Sequence, residues 1–269
     1  MKLFHLTDIH CGNKNAPFRT DELVNALEAL SGDFSRDDCY LVVSGDVTYQ
    51  GSLAGYKEAQ AVIEKCWLSR GGAASRIVAC PGNHDICENS FRAFDKFTYA
   101  VRRDGRLSFE NKSTCVLRFG DVLFAVVNSA YHRDHKFGLV DVAQLVDELK
   151  VARVSECNTK IAIVHHHLVG VDANDLSTLR NALPLLEALQ KHGFELVLHG
   201  HRHSLSEISV GPNAMAIRAG RSLNFETPGY VNGMSIHERV NGTWEAKNLF
   251  LSKDIAAVGL AGFAAQGRE

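Results

Sequence analysis

Six short apolar runs punctuate the chain up to Leu198: Leu3 to Thr7, Cys39 to Val43, Arg76 to Cys80, Val122 to Val127, Ile161 to Val164 and Glu195 to Leu198. Between them, Thr20 to Leu30, Leu53 to Leu68, Val140 to Ala152 and Leu176 to His192 carry apolar residues at helical spacing. Alternation of strand-like and helix-like segments is the pattern of strands joined by crossover helices, so an α/β fold is predicted. Asp21-Glu22 suits an opening helical turn. His192-Gly193 suits a helix end, where a cation favours the dipole and glycine accepts the left-handed cap.

From Ser204 onward the pattern changes to alternating or β-branched segments separated by Gly211-Pro212-Asn213, Asn232-Gly233 and Asn241-Gly242. These read as antiparallel hairpins, with Asn241-Gly242 the clearest turn, and they imply a second layer packed against the helix-and-strand core. The segment from Asp95 to Gly120 is polar, aromatic and irregular and reads as an insertion or cap, with Arg102, Arg103 and Arg106 close together. No Pro- or Ser-rich stretch divides the chain, so a single domain over residues 1–251 is expected, followed by a tail, 252–269. The apolar part of that tail, Ile255 to Ala265, is about half the ~20 residues that a membrane span needs and is expected to pack on the domain or on a second copy.

Composition narrows the function classes. Of 269 residues, 45% are hydrophobic and 22% charged, ordinary values for a chain that buries a core. The formal net charge of -2 offers no general basic field for a nucleic-acid backbone, which leaves only a local basic rim for that role. Seven cysteines without a CxxC pair read as reduced core thiols, and Lys2 to Leu6 lacks the features of a secretory signal, so the expected location is the cytoplasm.

The chemistry lies where five of the six runs stop. Asp8-Ile9-His10, Gly45-Asp46, Gly82-Asn83-His84-Asp85, His165-His166-His167 and Gly200-His201-Arg202-His203 each begin within three residues of a strand's end. Ligands of open α/β sheets sit outside the C-terminal ends of the strands, so the five loops are expected to converge. Asp8 and His10, and likewise His201 and His203, would leave one face of an extended loop. Glycine before Asp46, Asn83 and His201 permits close backbone approach. The donors are oxygen and imidazole without thiolate, which favours open catalytic positions over a closed zinc site and suits Mn²⁺, Fe²⁺/Fe³⁺ or Zn²⁺. Seven candidate ligands exceed one tetrahedral centre, so two ions are expected.

In these motifs the chain resembles the calcineurin-like metallophosphoesterases, whose D-x-H, G-D, G-N-H-D/E, histidine-pair and G-H-x-H elements are matched in order from Asp8 to His203. The resemblance implies a four-layer αββα sandwich with C-terminal antiparallel hairpins. It also implies that Asp8, His10 and His203 hold one metal, that Asp46 bridges, and that Asn83, His165 and His201 complete the second, with His166 as runner-up to His165. His84 would stand beside the substrate phosphate as a charge stabiliser or proton donor, oriented by Asp85. The implied activity is hydrolysis of a phosphate ester by hydroxide made available at two cations.

Gly45-Asp46-Val47-Thr48-Tyr49-Gln50-Gly51 lacks the second Asp and the Arg of the protein-phosphatase branch. The resemblance therefore points to a phosphodiesterase acting on a nucleotide or another small phosphodiester, with a phosphomonoesterase or nuclease of the same superfamily as the alternative. Tyr49 stands where an acidic or polar residue is more usual. Asn13, Arg19, His132, Arg133, Arg221 and Asn224 lie near the motifs as candidate substrate contacts.

Overall fold

The computed structural model describes residues 1–30, 38–170 and 174–251. The expected C-terminal tail lies outside them. Among the described residues, eleven strands and five α-helices form two sheets with helices outside: β1 Lys2–Leu6, α1 Thr20–Leu30, β2 Cys39–Ser44, α2 Leu53–Cys66, β3 Ile77–Cys80 and α3 Arg92–Arg102, then β4 Thr114–Phe119, β5 Val122–Val127, α4 Val142–Val151, β6 Thr159–Val164, α5 Ala182–Lys191, β7 Leu196–His199, β8 Ser206–Val210, β9 Met215–Ala219, β10 Gly233–Val240 and β11 Thr243–Phe250.

The first sheet has the order β11-β10-β1-β2-β3 and the second β4-β5-β6-β7-β9-β8. Strands β1, β2 and β3 are parallel, as are β5, β6, β7 and β9. The parallel strands are thus shared between two sheets. The hairpins supply the sheet edges: β10 pairs antiparallel with β1, and β8 pairs antiparallel with β9. This corrects the expectation that the hairpins form a layer of their own. Asn241-Gly242 does close the β10–β11 hairpin, with both residues at positive φ as a type I′ turn requires. Gly211 to Ala214 turns β8 into β9. Asn232-Gly233 is not a hairpin turn, because Gly233 already pairs with Phe250 as the first residue of β10.

Alternation along the second sheet explains the layering. Phe124 and Val126, Ile161 and Ile163, and Leu196 and Leu198 join the core shared with the first sheet. Their neighbours Leu123, Ala125, Val127, Ala162, Val164 and Val197 pack with Leu145 and Leu149 of α4 and with Leu185 and Leu189 of α5. Period two thus sends successive side chains into two separate cores. In the first sheet Leu41, Val42 and Val43 are all buried, as expected for a parallel strand covered on both faces. The result is the four-layer αββα sandwich with C-terminal hairpins.

Local chemistry sets the helix starts. The Ser52 hydroxyl accepts the Gly55 amide at the start of α2, and the Asp141 carboxylate accepts the Gln144 amide at the start of α4. The Leu176–His192 expectation is corrected at its N-terminal side, where α5 begins only at Ala182. Residues before it are occupied otherwise: Asp175 holds the Ser177 amide and hydroxyl, and the Leu179 amide donates to His167 O. The Asp95–Gly120 segment is not a cap. It holds most of α3 and all of β4, because Phe94, Phe97 and Val101 lie on one helical face and are buried. Arg102, the last residue of that helix, is buried and bound to Asp104 and to the carbonyl of Ile77. Arg106 is tied to the same Asp104, so these two arginines form an internal ion-pair cluster rather than a basic channel.

Phe124 has no exposed surface and meets Tyr40 of the opposite sheet at a ring-centroid distance of 4.9 Å. Phe124→Ala is expected to lower the unfolding free energy by about 3–5 kcal/mol through the cavity left between the sheets, measured by urea denaturation.

Candidate metal centre

Both sheets deliver loops to one rim. The Asp8 amide donates to Gly45 O at 3.1 Å, joining the ends of β1 and β2, and the Gly200 amide donates to His165 O at 3.0 Å, joining those of β7 and β6. Cross-sheet bonds complete the junction: His201 N donates to Asp8 Oδ2 at 3.0 Å, and His165 Nδ1 lies 2.8 Å from Ser44 O. The convergence read from strand ends therefore holds across two sheets rather than along one.

The backbone that presents these side chains is not extended. Asp8, His10, Asp46, His201 and His203 all have positive φ, between 49° and 73°. The expectation of an extended Asp-x-His loop is corrected: alternate residues enter the left-handed region and turn both side chains inward. Such conformations cost about 1–3 kcal/mol each for residues with a Cβ and persist only where surrounding contacts over-determine them. Gly45, at φ 93°, sits against the His165 ring, which a Cβ would strike. At Gly82 the obstacle is space alone, since a Cβ would collide with Asp46 and lie 2.8 Å from His165 Cδ2.

Two groups of donors result. Ligand atoms of Asp8, His10 and His203 lie within 4.8 Å of one another, as do those of Asp46, His165 and His201. Asp46 stands between them, with Oδ2 3.1 Å from His165 Nε2 and 3.9 Å from His10 Nε2. Asn83 Oδ1 is 3.1 Å from His165 Nε2, while its Nδ2 donates to His135 O. The outward atoms are already bonded. Thr7 Oγ1 and the His201 amide occupy Asp8 Oδ2, Thr227 Oγ1 meets His203 Nδ1 at 2.8 Å, and the His84 amide occupies Asp46 Oδ1. Partners of this kind fix ring orientation and leave the other atom for a cation.

The donor set fits metal ions. Among the described residues, Asp8 Oδ1 and both nitrogens of His10 are buried without a hydrogen-bond partner, an arrangement that is costly unless something else satisfies them. His201 Nδ1 and His165 Nε2 face each other at 3.2 Å. Burial pushes His201 down to about 3, helped by the charge of His165, and pushes His10 down to about 4 against the pull of Asp46 and Asp8. Both imidazoles are thereby held neutral, the form that coordinates. For His165, burial is opposed and outweighed by the Asp46 carboxylate, which lifts it to about 9. Burial acts to raise Asp46 and Asp8, but His165 and His203 respectively hold them below the usual carboxylate range. The same field that attracts a proton here attracts a cation.

The other expected residues separate into roles. His84 is partly exposed, its ring centroid is 4.9 Å from that of His10, and its Nδ1 lies 2.6 Å from Tyr49 O. Asp85 does not orient that ring. Its buried carboxylate instead accepts the amides of Val47, Thr48 and Gly82, and burial with the nearby Asp46 charge pushes it up to about 6. His166 is bound through Nδ1 to Ser129 Oγ at 2.7 Å and belongs to neither donor group. Asn224 is a structural bridge to both backbone groups of Phe18, Arg19 pairs with Asp21 and Glu22, and Arg221 lies over Phe250. The orienting residues Thr7, Ser44 and Thr227 escaped sequence reading. Only Thr7, adjacent to Asp8, left a local signal.

A family model described as calcineurin-like phosphoesterase matches residues 1–205, and the chain belongs to that family. It is a metal-dependent phosphoester hydrolase, and family and donor groups together support a dimetal centre. The chain is 22% identical over 208 residues to a protein of Vesicomyosocius okutanii subsp. Calyptogena okutanii (strain HA) with the description "Probable cyclic nucleotide phosphodiesterase", covering 76% of this chain and 79% of that one. A protein of Ruthia magnifica subsp. Calyptogena magnifica with the same description is 21% identical over 207 residues, with the same coverage. In fold the chain is similar to a dimetal phosphatase from Danio rerio, with a TM-score of 0.65 at 12% identity over 93% of this chain and 96% of that one. It is likewise similar to a purple acid phosphatase from yellow lupin, with a TM-score of 0.61 at 13% identity over 92% of this chain and 51% of that one. No described helix is long and apolar enough to cross a membrane.

Gly82→Ala is expected to weaken metal binding by about 10–100-fold, because the added methyl displaces Asp46 and His165 while φ at this position, -106°, suits alanine. Metal analysis after dialysis, with circular dichroism as the control for folding, checks this.

Proposed function

We propose that this protein is a phosphodiesterase that hydrolyses a small phosphodiester at a dimetal centre of Mn²⁺, Fe²⁺/Fe³⁺ or Zn²⁺. The observation that carries the reading is the position of Asp46, a buried carboxylate within 4 Å of nitrogens from both donor groups. In this reading Asp8, His10 and His203 would hold one ion, Asn83, His165 and His201 would hold the other, and Asp46 would serve both. Nitrogen and oxygen donors without thiolate favour these metals. Bound there, two cations lower the pKa of water and neutralise phosphoryl charge.

The remaining steps belong to the chain's own residues. His84 Nδ1 donates to Tyr49 O, so it is as the imidazolium that the ring has a second N–H, at Nε2, to give to the departing ester oxygen, returning to the neutral Nδ1–H form. The His84 amide on Asp46 Oδ1 holds that ring at a fixed position relative to the bridge. Asp85 acts one step removed. By gathering the amides of Val47, Thr48 and Gly82 it sets the loop whose Tyr49 carbonyl receives His84, so we assign it positioning rather than catalysis. A diester is favoured because the second Asp and the Arg of the protein-phosphatase motif are replaced by Tyr49 and Gln50, and the description of the two relatives agrees. Arg102 and Arg106, engaged by Asp104, give the nuclease alternative no support.

With Mn²⁺ added, the protein is expected to turn over bis(4-nitrophenyl) phosphate faster than 4-nitrophenyl phosphate; metal-loaded protein that hydrolyses neither overturns the proposal. Asp46→Asn is expected to abolish turnover and lower the metal content. His84→Ala is expected to retain both ions and lose about 10²–10⁴-fold in kcat.

A further inference from the structure

Two aromatic side chains beside the donor groups have no part in the chemistry above. Tyr49 follows the Asp46 loop, and its ring lies almost parallel to that of His84, with centroids 5.7 Å apart and planes 26° from each other. Phe225 arrives from the loop between β9 and β10. Its ring lies 4.7 Å from His10 and 4.8 Å from His203, and it is also nearly parallel to Tyr49, at 6.3 Å and 26°. His10 is buried, whereas Tyr49 and Phe225 both remain partly exposed.

Covering His10 and His203 accounts for one side of this pair but leaves aromatic surface open to solvent next to the proton-donating histidine. The two rings are too close to admit a third between them, so a planar group can meet this aromatic pair only from its solvent-facing side. Both are held on pinned backbone. The Tyr49 amide donates to Cys11 O at 3.0 Å while its carbonyl receives His84. Phe225 is flanked by Asn224, whose amide group is bonded at both ends to Phe18, and its own carbonyl accepts from Asn232 Nδ2 at 3.0 Å. Rings held in this way lose little freedom when a ligand stacks on them.

Resting on the phosphodiesterase reading, we infer that Tyr49 and Phe225 are specificity-determining residues that select phosphodiesters bearing a planar aromatic ring, such as a nucleobase, on an ester group placed beside His84. A ring stacks on this pair through its face, so recognition depends on aromaticity rather than on a particular pattern of hydrogen bonds. The pair is uncharged, in keeping with an ester substituent that carries no phosphate of its own.

The test compares a dinucleoside monophosphate, adenylyl-3′,5′-adenosine, with a ring-free diester, glycerophosphoethanolamine, on Mn²⁺-loaded protein. Wild type is expected to favour the dinucleoside in kcat/KM, chiefly through KM. Tyr49→Leu and Phe225→Leu are each expected to reduce that preference by about tenfold, whereas Tyr49→Phe retains it. An unchanged ratio in both leucine variants overturns the inference; if both rates also fall together with metal content, the rings merely support His10 and His203. Hydrolysis of both diesters by wild type without preference overturns the inference and leaves the phosphodiesterase reading standing. Metal-loaded wild type that turns over bis(4-nitrophenyl) phosphate but neither of these diesters overturns the inference alone, whereas turnover of none of the three overturns the phosphodiesterase reading and the inference with it.

Discussion

The rim of this protein depends on how the carboxylate of Asp8 is shared. One oxygen is held by the hydroxyl of Thr7 and by the amide of His201, 193 residues further along the chain. The other is buried and has no hydrogen-bond partner among the described residues, with His203 Nε2 3.2 Å away. A single side chain therefore couples the end of β1 in one sheet to the end of β7 in the other and still presents a lone pair to the site. The left-handed conformations of Asp8, His10, Asp46, His201 and His203 follow from this crowding. They are unfavourable residue by residue and are maintained because the bonds between the sheets leave the loops no alternative.

A second constraint is electrostatic. Burial acts to raise both Asp8 and Asp46, and Asp46 also repels Asp8, yet the histidines around them hold both carboxyls below the usual carboxylate range. Excess negative potential at a buried point with imidazole lone pairs turned inward is what a cation site requires. Asp85 is the counterexample that clarifies this arrangement. It is equally buried, but its oxygens are taken by backbone amides and the hydroxyls of Thr48 and Tyr56, so it shapes loops instead of offering a ligand.

The two cores serve the same end. The first sheet and the inner face of the second share one apolar cluster, while the outer face of the second packs on α4 and α5 through another. Loops mounted on two sheets locked face to face can hold donors at distances near 3 Å without being regular themselves. Tyr49 and Phe225 profit from this as well, since each ring rests on backbone fixed by bonds to a distant segment.

The six apolar runs, the helices alternating with them, the clearest hairpin turn and every candidate ligand could be read from the chain, because periodicity and strand-end motifs are local properties; β4 could not, since it lies in the segment read as irregular. Helix α3 was hidden by the charges between its apolar positions, and the start of α5 by the engagement of the residues from Asp175 to Leu179 with their surroundings. Which residues could donate to a cation was settled by side-chain chemistry alone. The sharing of parallel strands between two sheets, the left-handed turns at Asp8 and His10, and the place of Phe225 beside Tyr49 required the tertiary structure. Adjacent residues of a strand point to opposite faces, and only packing determines which face becomes the site.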